Sequence, residues 1–263
     1  LNLPIVFVTI ISYCFSKLNL YKNSIVAKIS GSNWMDFWYH EDSMSMIDAL
    51  KSSIYNGIVF GDDKFIPPLW TLKIEFLASI LLIIYLITSF NKNQKLLLPF
   101  FLVFLSIVFK KDIVYYLLFF AGAFIVYIPK LNKFYSYTLI LFSFYLISYQ
   151  DGFFYQFLNN SSLLNIPLRN IFHGLGSIAL VHFVRIGFFN KFLKSRINLL
   201  LGRISYSSYL IHHLLLSSIV SILYIEMGQS KISFLFLYLF YITTTFLFSY
   251  LILNKVDNYG ISL

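Results

Sequence analysis

The sequence contains little charge and a single cysteine. Only 12% of its 263 residues are Asp, Glu, Lys or Arg, against roughly 25% in an average soluble domain. One cysteine, Cys14, excludes a disulfide within the chain and a metal site built on several thiolates. No HExxH or HxxxH spacing occurs. The residues therefore predict no metal site.

The apolar content is correspondingly high, with 59% hydrophobic and 20% aromatic residues. A water-soluble fold of this length has too little interior to hide so much apolar surface. The aromatic residues lie inside apolar runs and are not interleaved with Lys and Arg, which argues against nucleic-acid binding. We therefore predict a protein that crosses the lipid bilayer several times.

Apolar runs of suitable length predict about eight membrane spans. Because open strands cannot span lipid, we expect an all-α transmembrane helical bundle. The candidate spans are 2–16, 69–89, 96–109, 113–128, 135–149, 170–189, 204–225 and 233–253.

The loops predict the orientation of these spans. If successive spans cross the membrane in opposite directions, the short loops rich in Lys and Arg lie on one side. Nearly all the Asp and Glu residues then lie on the other side. Because Lys and Arg in short loops mark the cytoplasmic side, we predict a multi-pass protein of the cell (inner) membrane, with 17–68 as an outer loop. Within that loop, an apolar spacing predicts an amphipathic helix at the outer interface. Its apolar positions are Met46, Ile47, Leu50, Ile54 and Ile58.

Glu75 is an acid inside the span that follows "FIPPLW". Ionisable groups at membrane depth are costly, so they usually face the bundle interior and mark a site. Thr71, Ala78 and Ser79 share its helix face. The competing interpretation is an ion pair that serves packing, or a side chain that reaches up to the interface.

The stretch "LLGRISYSSYLIHHLLL" places further polar groups in a later span. Ser205, Ser208 or Tyr209, and His212 fall on one helix face. A histidine at this depth can transfer a proton, or it can form a structural hydrogen bond between helices. His213 points about 100° away, which favours a structural role against another helix or lipid.

The stretch "RNIFHGLGSIALVHFVR" carries Arg169, His173 and His182, with Gly174 and Gly176 allowing close helix packing. For these polar residues a packing role is favoured over a ligand site.

Two of these motifs together resemble the acyltransferase-3 family of integral membrane acyltransferases. The first motif opens one helix with Pro67, Pro68, Leu69, Trp70, Thr71, Leu72 and Glu75. The second opens a later helix with Leu201, Gly202, Ser205, Tyr206, Tyr209, Leu210 and His212. The chain departs from the family pattern within the second motif. Family members often have Trp-His-Trp-Pro where this chain has Ile211, His212, His213 and Leu214.

The resemblance implies a ten-span enzyme that moves an acyl group, often acetyl from acetyl-CoA, onto hydroxyls of sugars or polysaccharides at the cell envelope. The family's first span usually carries a basic residue and a histidine, and a basic pair follows its second span. Neither is present here, so we expect 1–263 to be one acyltransferase-like membrane domain that lacks the first two spans. Such a fragment is expected to be inactive alone.

The resemblance also implies roles for single residues. Glu75 would orient a catalytic histidine, while His212 and Tyr209 would line the cavity or donate to the oxyanion. Arg196 and Arg203 would meet the phosphates of the acyl-CoA at the cytoplasmic face.

Two other classes stay open from the residues alone. A membrane carrier or polymerase that handles polysaccharides would place charges on broken helices within repeated halves. A non-catalytic membrane scaffold would use Glu75 and His212 for packing.

Overall fold

The computed structural model describes residues 2–39, 45–89, 101–102, 104–105, 108, 112–129, 133–149, 168–228 and 230–257. All regular elements in these ranges are helical, which confirms the all-α class for this part of the chain. The chain divides into two compact units. The first comprises Leu1–Phe76 and Arg196–Leu263, and the second comprises Leu77–Ser195.

Short helices and turns alternate with longer helices along the chain. The α-helices are α1 (Asn2–Lys17), α2 (Asn23–Ser30), α3 (Asn33–Asp36), α4 (Met46–Lys51), α5 (Trp70–Ser89), α6 (Ile113–Phe124), α7 (Lys133–Ile147), α8 (Leu168–Arg185), α9 (Asn190–Leu193), α10 (Arg196–Leu215), α11 (Ser221–Met227) and α12 (Lys231–Ile252). The 3₁₀ turns are Pro67–Leu69 and Ile125–Tyr127, and π-helical segments occupy Ser52–Phe60, Leu216–Val220 and Leu253–Asp257.

Three helical stretches among the described residues are long and apolar enough to cross a membrane. They are Pro67–Thr88, Arg196–Met227 and Lys231–Val256. Shorter apolar helices are Asn2–Lys17, Ile113–Tyr127 and Tyr135–Ile147. A helix also occupies Leu168–Arg185. Most of the predicted span 96–109 lies outside the described residues. The three stretches support a membrane protein, and the count of about eight spans stays a prediction.

The core of the first unit forms where α1, α10 and the Pro67–Leu69 turn pack together. Ile5 and Leu69 are completely buried, and Leu210 and Leu214 are nearly so. Lipid is as apolar as these side chains, so close packing and hydrogen bonds hold such helices together rather than exclusion of water. The core therefore fixes the position of α10 against the turn that opens α5.

The described residues between α1 and the Pro67–Leu69 turn form four helical elements, α2 to α4 and Ser52–Phe60. The Lys22 amide donates to the Ser217 carbonyl of the π-helical segment after α10, with an N–O distance of 3.0 Å. A helix occupies the predicted amphipathic stretch, where Ile47 and Ile54 are exposed. Contact of that surface with the outer membrane interface stays a prediction.

In the second unit, glycines allow α7 and α8 to approach closely. A Cβ added at Gly176 would lie 2.7 Å from the Ile147 side chain and 2.8 Å from the Ser143 carbonyl. A Cβ at Gly174 would lie 2.9 Å from Leu118 of α6. Only glycine permits helix backbones to pack at this distance.

Candidate functional site

The segments that carry the two motifs meet in the first unit. Two prolines begin the 3₁₀ turn that leads into α5, where a missing amide hydrogen costs nothing. The Tyr209 hydroxyl of α10 donates a hydrogen bond to the Pro68 carbonyl. It also lies within hydrogen-bond distance of the Thr71 hydroxyl, which lies 3.3 Å from the same carbonyl. With the Tyr209 proton donated to Pro68, the Thr71 hydroxyl can donate its single proton to the Tyr209 oxygen or to the Pro68 carbonyl.

A cavity of about 230 Å³ adjoins this contact. It is lined by Trp38, Pro67, Pro68, Trp70, Thr71, Tyr209, His212 and His213. The cavity therefore combines the first motif, the second motif and Trp38 from earlier in the chain. It is smaller than the roughly 300–1,000 Å³ of pockets that hold drug-sized ligands.

The hydrogen bonds of His212 set its tautomer. Its Nδ1 atom lies 2.8 Å from the Tyr209 carbonyl oxygen and 3.1 Å from the Ser208 carbonyl oxygen. A carbonyl oxygen only accepts, so Nδ1 carries the hydrogen in the neutral ring. The Nε2 atom then carries the lone pair that can accept a proton.

His213 packs against the aromatic residues that follow α2. Its ring centroid lies 4.9 Å from that of Trp38 and 5.1 Å from that of Trp34. The residue is only 5% exposed, and its Nδ1 atom has no hydrogen-bond partner within the described part of the chain. The helix period predicted that His213 faces away from His212, but it did not predict that Trp34 and Trp38 of the 17–68 segment pack against it.

Asn23 holds Trp38 in place from the start of α2. The side chain is 2% exposed, and its Nδ2 atom donates to the Met35 carbonyl at 2.9 Å and to the Trp38 carbonyl at 2.5 Å. One buried amide thus fixes the turn that ends α3, and with it the Trp38 backbone.

Two tyrosines and a serine join this turn to the start of the first motif. Tyr21 stacks on Tyr39 with ring centroids 4.0 Å apart. Burial raises the pKa of both hydroxyls, so both stay protonated at neutral pH. Ser12 of α1 contacts the Tyr21 hydroxyl at 2.7 Å and donates to the Phe65 carbonyl, also at 2.7 Å.

The predicted site residues that do not line the cavity lie elsewhere on α5 and α10. Glu75 is exposed, yet it is close enough for its charge to act on the Tyr209 phenol. Arg196 and Arg203 are exposed near the start of α10. Arg203 precedes His212 by nine residues, about 13.5 Å along the helix at 1.5 Å per residue.

The remaining residues of the second motif have local structural roles. The Ser205 hydroxyl donates to the Gly202 carbonyl at 2.7 Å, within the helix. Tyr206 is partly buried against the core of the first unit. These three residues shape the helix around the cavity without lining it.

The other described histidines lie in the second unit. The His173 Nε2 atom lies 2.9 Å from the Tyr149 carbonyl. Arg185 donates to the carbonyls of Val126 and Ile128 and lies 3.4 Å from His182 Nδ1. Within the described ranges, no group of three or more His, Cys, Asp or Glu side chains is arranged to hold a metal ion.

No protein-family model matches this sequence, and no curated protein and no solved structure gives a match either. The likeness to acyltransferase-3 proteins therefore depends on the two motifs, whose segments meet at the cavity beside His212.

Proposed function

We propose that this protein is a membrane-embedded O-acyltransferase of the acyltransferase-3 type. It would cross the cell membrane about eight times within 1–263. It would move an acetyl group from cytosolic acetyl-CoA to a hydroxyl of a cell-envelope sugar or polysaccharide. The observation that supports this proposal is the direct hydrogen bond between the two motif segments, Tyr209 to Pro68, at a cavity lined by His212.

The chemistry assigned to His212 follows from its tautomer. Nε2 accepts the proton of the acceptor hydroxyl as that oxygen bonds to the thioester carbonyl carbon. When the tetrahedral adduct collapses, the carbon–sulfur bond breaks. The thiolate then takes the proton from the imidazolium and leaves as free CoA. Every atom and proton is accounted for without a further co-reactant.

Tyr209 and Thr71 act in this proposal as positioning residues. In the structure the Tyr209 proton is already donated to the Pro68 carbonyl, so the phenol joins α10 to the first motif. Glu75 adds a negative charge beside this contact. It helps to orient the groups of the reacting centre.

Arg196 and Arg203 supply the cytoplasmic end of the proposed donor site. A guanidinium pairs with phosphate through two parallel hydrogen bonds. Both arginines are exposed on one side of His212 along α10, so a phosphate-bearing donor held there can direct its acyl end toward the cavity.

The test follows the release of CoA from the acyl donor and the labelling of the glycan acceptor in one experiment. The protein is expressed from its complete gene, and membranes are supplied with acetyl-CoA labelled in the acetyl group. We expect label in the envelope glycan and an equal amount of free CoA thiol. Arg203→Gln combined with Arg196→Gln should raise the KM for acetyl-CoA.

Two outcomes would contradict the proposal. Glycan that crosses the membrane without becoming labelled would favour the carrier or polymerase class. If neither label nor thiol depends on the protein, the scaffold class remains.

A further inference from the structure

A second cavity, of about 400 Å³, lies within the first unit and shares no described lining residue with the one beside His212. We call it the α12 cavity, since α12 forms one of its walls. The other walls are α2 with α3, and the π-helical segment Leu216–Val220 with α11. Two of these walls belong to Arg196–Met227 and Lys231–Val256, which are long and apolar enough to cross a membrane. In a membrane protein, a cavity between such helices borders lipid hydrocarbon.

The lining of the α12 cavity extends along the helices. On α12 it runs from Phe234 through Leu237 to Tyr241, a distance of about 10 Å at 1.5 Å per residue. These positions share one helix face. On the second wall, the wider turn of the π-helix brings Leu216 and Ser221, five residues apart, onto one side. The shape therefore suits an extended chain better than a compact ring.

The serines that line the α12 cavity already form hydrogen bonds with the backbone. The Ser30 hydroxyl donates to the Val26 carbonyl at 2.8 Å. The Ser221 hydroxyl donates to the Leu216 carbonyl, also at 2.8 Å, and the Ser32 hydroxyl accepts a backbone amide hydrogen of α3 at 3.4 Å. The other described lining side chains are aliphatic, methionine or aromatic, with three tyrosine hydroxyls as their only polar groups. An occupant therefore meets mainly apolar surface.

Charged residues lie near the α12 cavity, but no described lining residue is charged. Glu226 and Lys231 are exposed on either side of the connection between α11 and α12. Lys28 of α2 and Asp36 of α3 are exposed as well. A charged ligand inside the cavity would lose its hydration without gaining a counter-charge from these walls. A molecule with a polar end outside and an apolar chain inside fits this distribution.

We propose that the α12 cavity holds one hydrocarbon chain of a membrane phospholipid. Walls this apolar favour hydrocarbon over water. An unfilled void would deprive the lining of van der Waals contacts, and lipid chains are the apolar molecules that surround such helices. The chain methylenes pack on Leu216, Val220 and Leu237, and the headgroup lies near Glu226 and Lys231. The inference does not depend on acetyl transfer.

Photochemical labelling tests the inference in the full-length protein. The protein is purified in a short-chain detergent, mixed with a phosphatidylcholine whose acyl chain carries a diazirine, illuminated and digested for peptide mass spectrometry. We expect label within 216–224 and 234–241. At a constant large excess of detergent, unlabelled phosphatidylcholine should reduce that label about fivefold or more. Label at Leu247, which is 55% exposed on α12, reports non-specific contact and should stay unchanged.

Variants that fill the α12 cavity test the same site. Val220→Phe adds volume from the π-helical wall, so the label that phosphatidylcholine displaces should fall about fivefold. Ser30→Phe adds a ring at an exposed lining position and should have a similar effect. Leu247→Phe, outside the lining, is the matched control and should leave the label unchanged. Thermal unfolding monitors folding, and if Val220→Phe unfolds the protein, Ser30→Phe decides the outcome.

Several results would overturn the inference. These are label in the two ranges that unlabelled phosphatidylcholine does not reduce, label confined to Leu247 and other exposed positions, or unchanged label in the folded filling variants. Cross-links between two copies of the chain at Phe234, with no lipid label in the cavity, would assign the site to a second copy instead. None of these readouts involves acetyl transfer. Failure of the proposed function would therefore leave the lipid site in place, and failure of the lipid site would leave the proposed function untouched.

Discussion

The hydrogen bond from Tyr209 to the first motif can be tested by removing one oxygen atom. Tyr209→Phe deletes the hydroxyl that donates to the Pro68 carbonyl and contacts the Thr71 hydroxyl, and it keeps the ring in place. A hydrogen bond contributes about 0.5–1.5 kcal/mol net, and a carbonyl left without any partner costs more. Here Thr71 still lies 3.3 Å from that carbonyl. We therefore expect a loss of about 1 kcal/mol, which changes the unfolding equilibrium about fivefold.

The assay is reversible unfolding in mixed micelles, followed by tryptophan fluorescence. Because the three tryptophans surround this region, the signal reports on the first unit. Tyr250→Phe, at an exposed position of α12, is the matched control and should change stability by less than about 0.5 kcal/mol.

A double-mutant cycle separates the contact from general effects. Thr71→Val and Tyr209→Phe should be less than additive, with a coupling of about 0.5–1.5 kcal/mol. Additive effects, or a Tyr209→Phe protein as stable as wild type, would refute the claim that this contact joins the two motifs.

Three further predictions concern the segment that leads to the cavity. Gly57→Ala should destabilise the protein by about 1–3 kcal/mol in the same unfolding assay, because the new methyl would lie 2.6 Å from Leu69. Asn23→Ala should cost about 1–3 kcal/mol, because two backbone carbonyls lose their shared donor; the same variant should shift the fluorescence spectrum of the tryptophans. A hydrogen bond from the Ser45 hydroxyl lowers the pKa of the Asp48 carboxyl, so its stabilising effect is present above the unfolded pKa of about 3.9 and is lost as the pH falls through the lower folded value. Titration of the Asp48 carboxyl by NMR should show a pKa that rises in Ser45→Ala, and an unchanged value would contradict this assignment.

Hydropathy predicts the all-helical class, because lipid leaves the backbone few alternatives. The count of spans stays a prediction, since three helical stretches in the described ranges are long and apolar enough to cross a membrane. The two motifs also indicate the helices that contribute to the candidate site, α5 and α10. Their meeting point depends on which side chains of α10 face the Pro67–Leu69 turn. The helix period predicted that Tyr209 lies near the polar face of its helix. It could not identify the Pro68 carbonyl as the hydrogen-bond acceptor of the Tyr209 hydroxyl.

The covered position of His213 could not be predicted, because it depends on tertiary structure in the 17–68 segment. Short helices, one buried Asn23 side chain and a stacked tyrosine pair bring Trp38 back to α10. A clue was nevertheless present in the sequence, since two of its three tryptophans lie in one short polar stretch, at Trp34 and Trp38. Buried contacts of this kind join residues far apart in the chain, where local patterns carry no information.

Proton transfer by His212 during acyl transfer is tested most directly by one kinetic ratio. Initial rates of acetyl transfer from labelled acetyl-CoA to envelope glycan are compared for wild type, His212→Asn and the control His173→Asn. A general base contributes about 10²–10⁴-fold to a rate. We expect a loss of that size in His212→Asn at normal protein level, with the control unchanged. A His212→Asn protein that transfers acetyl at the wild-type rate would contradict it.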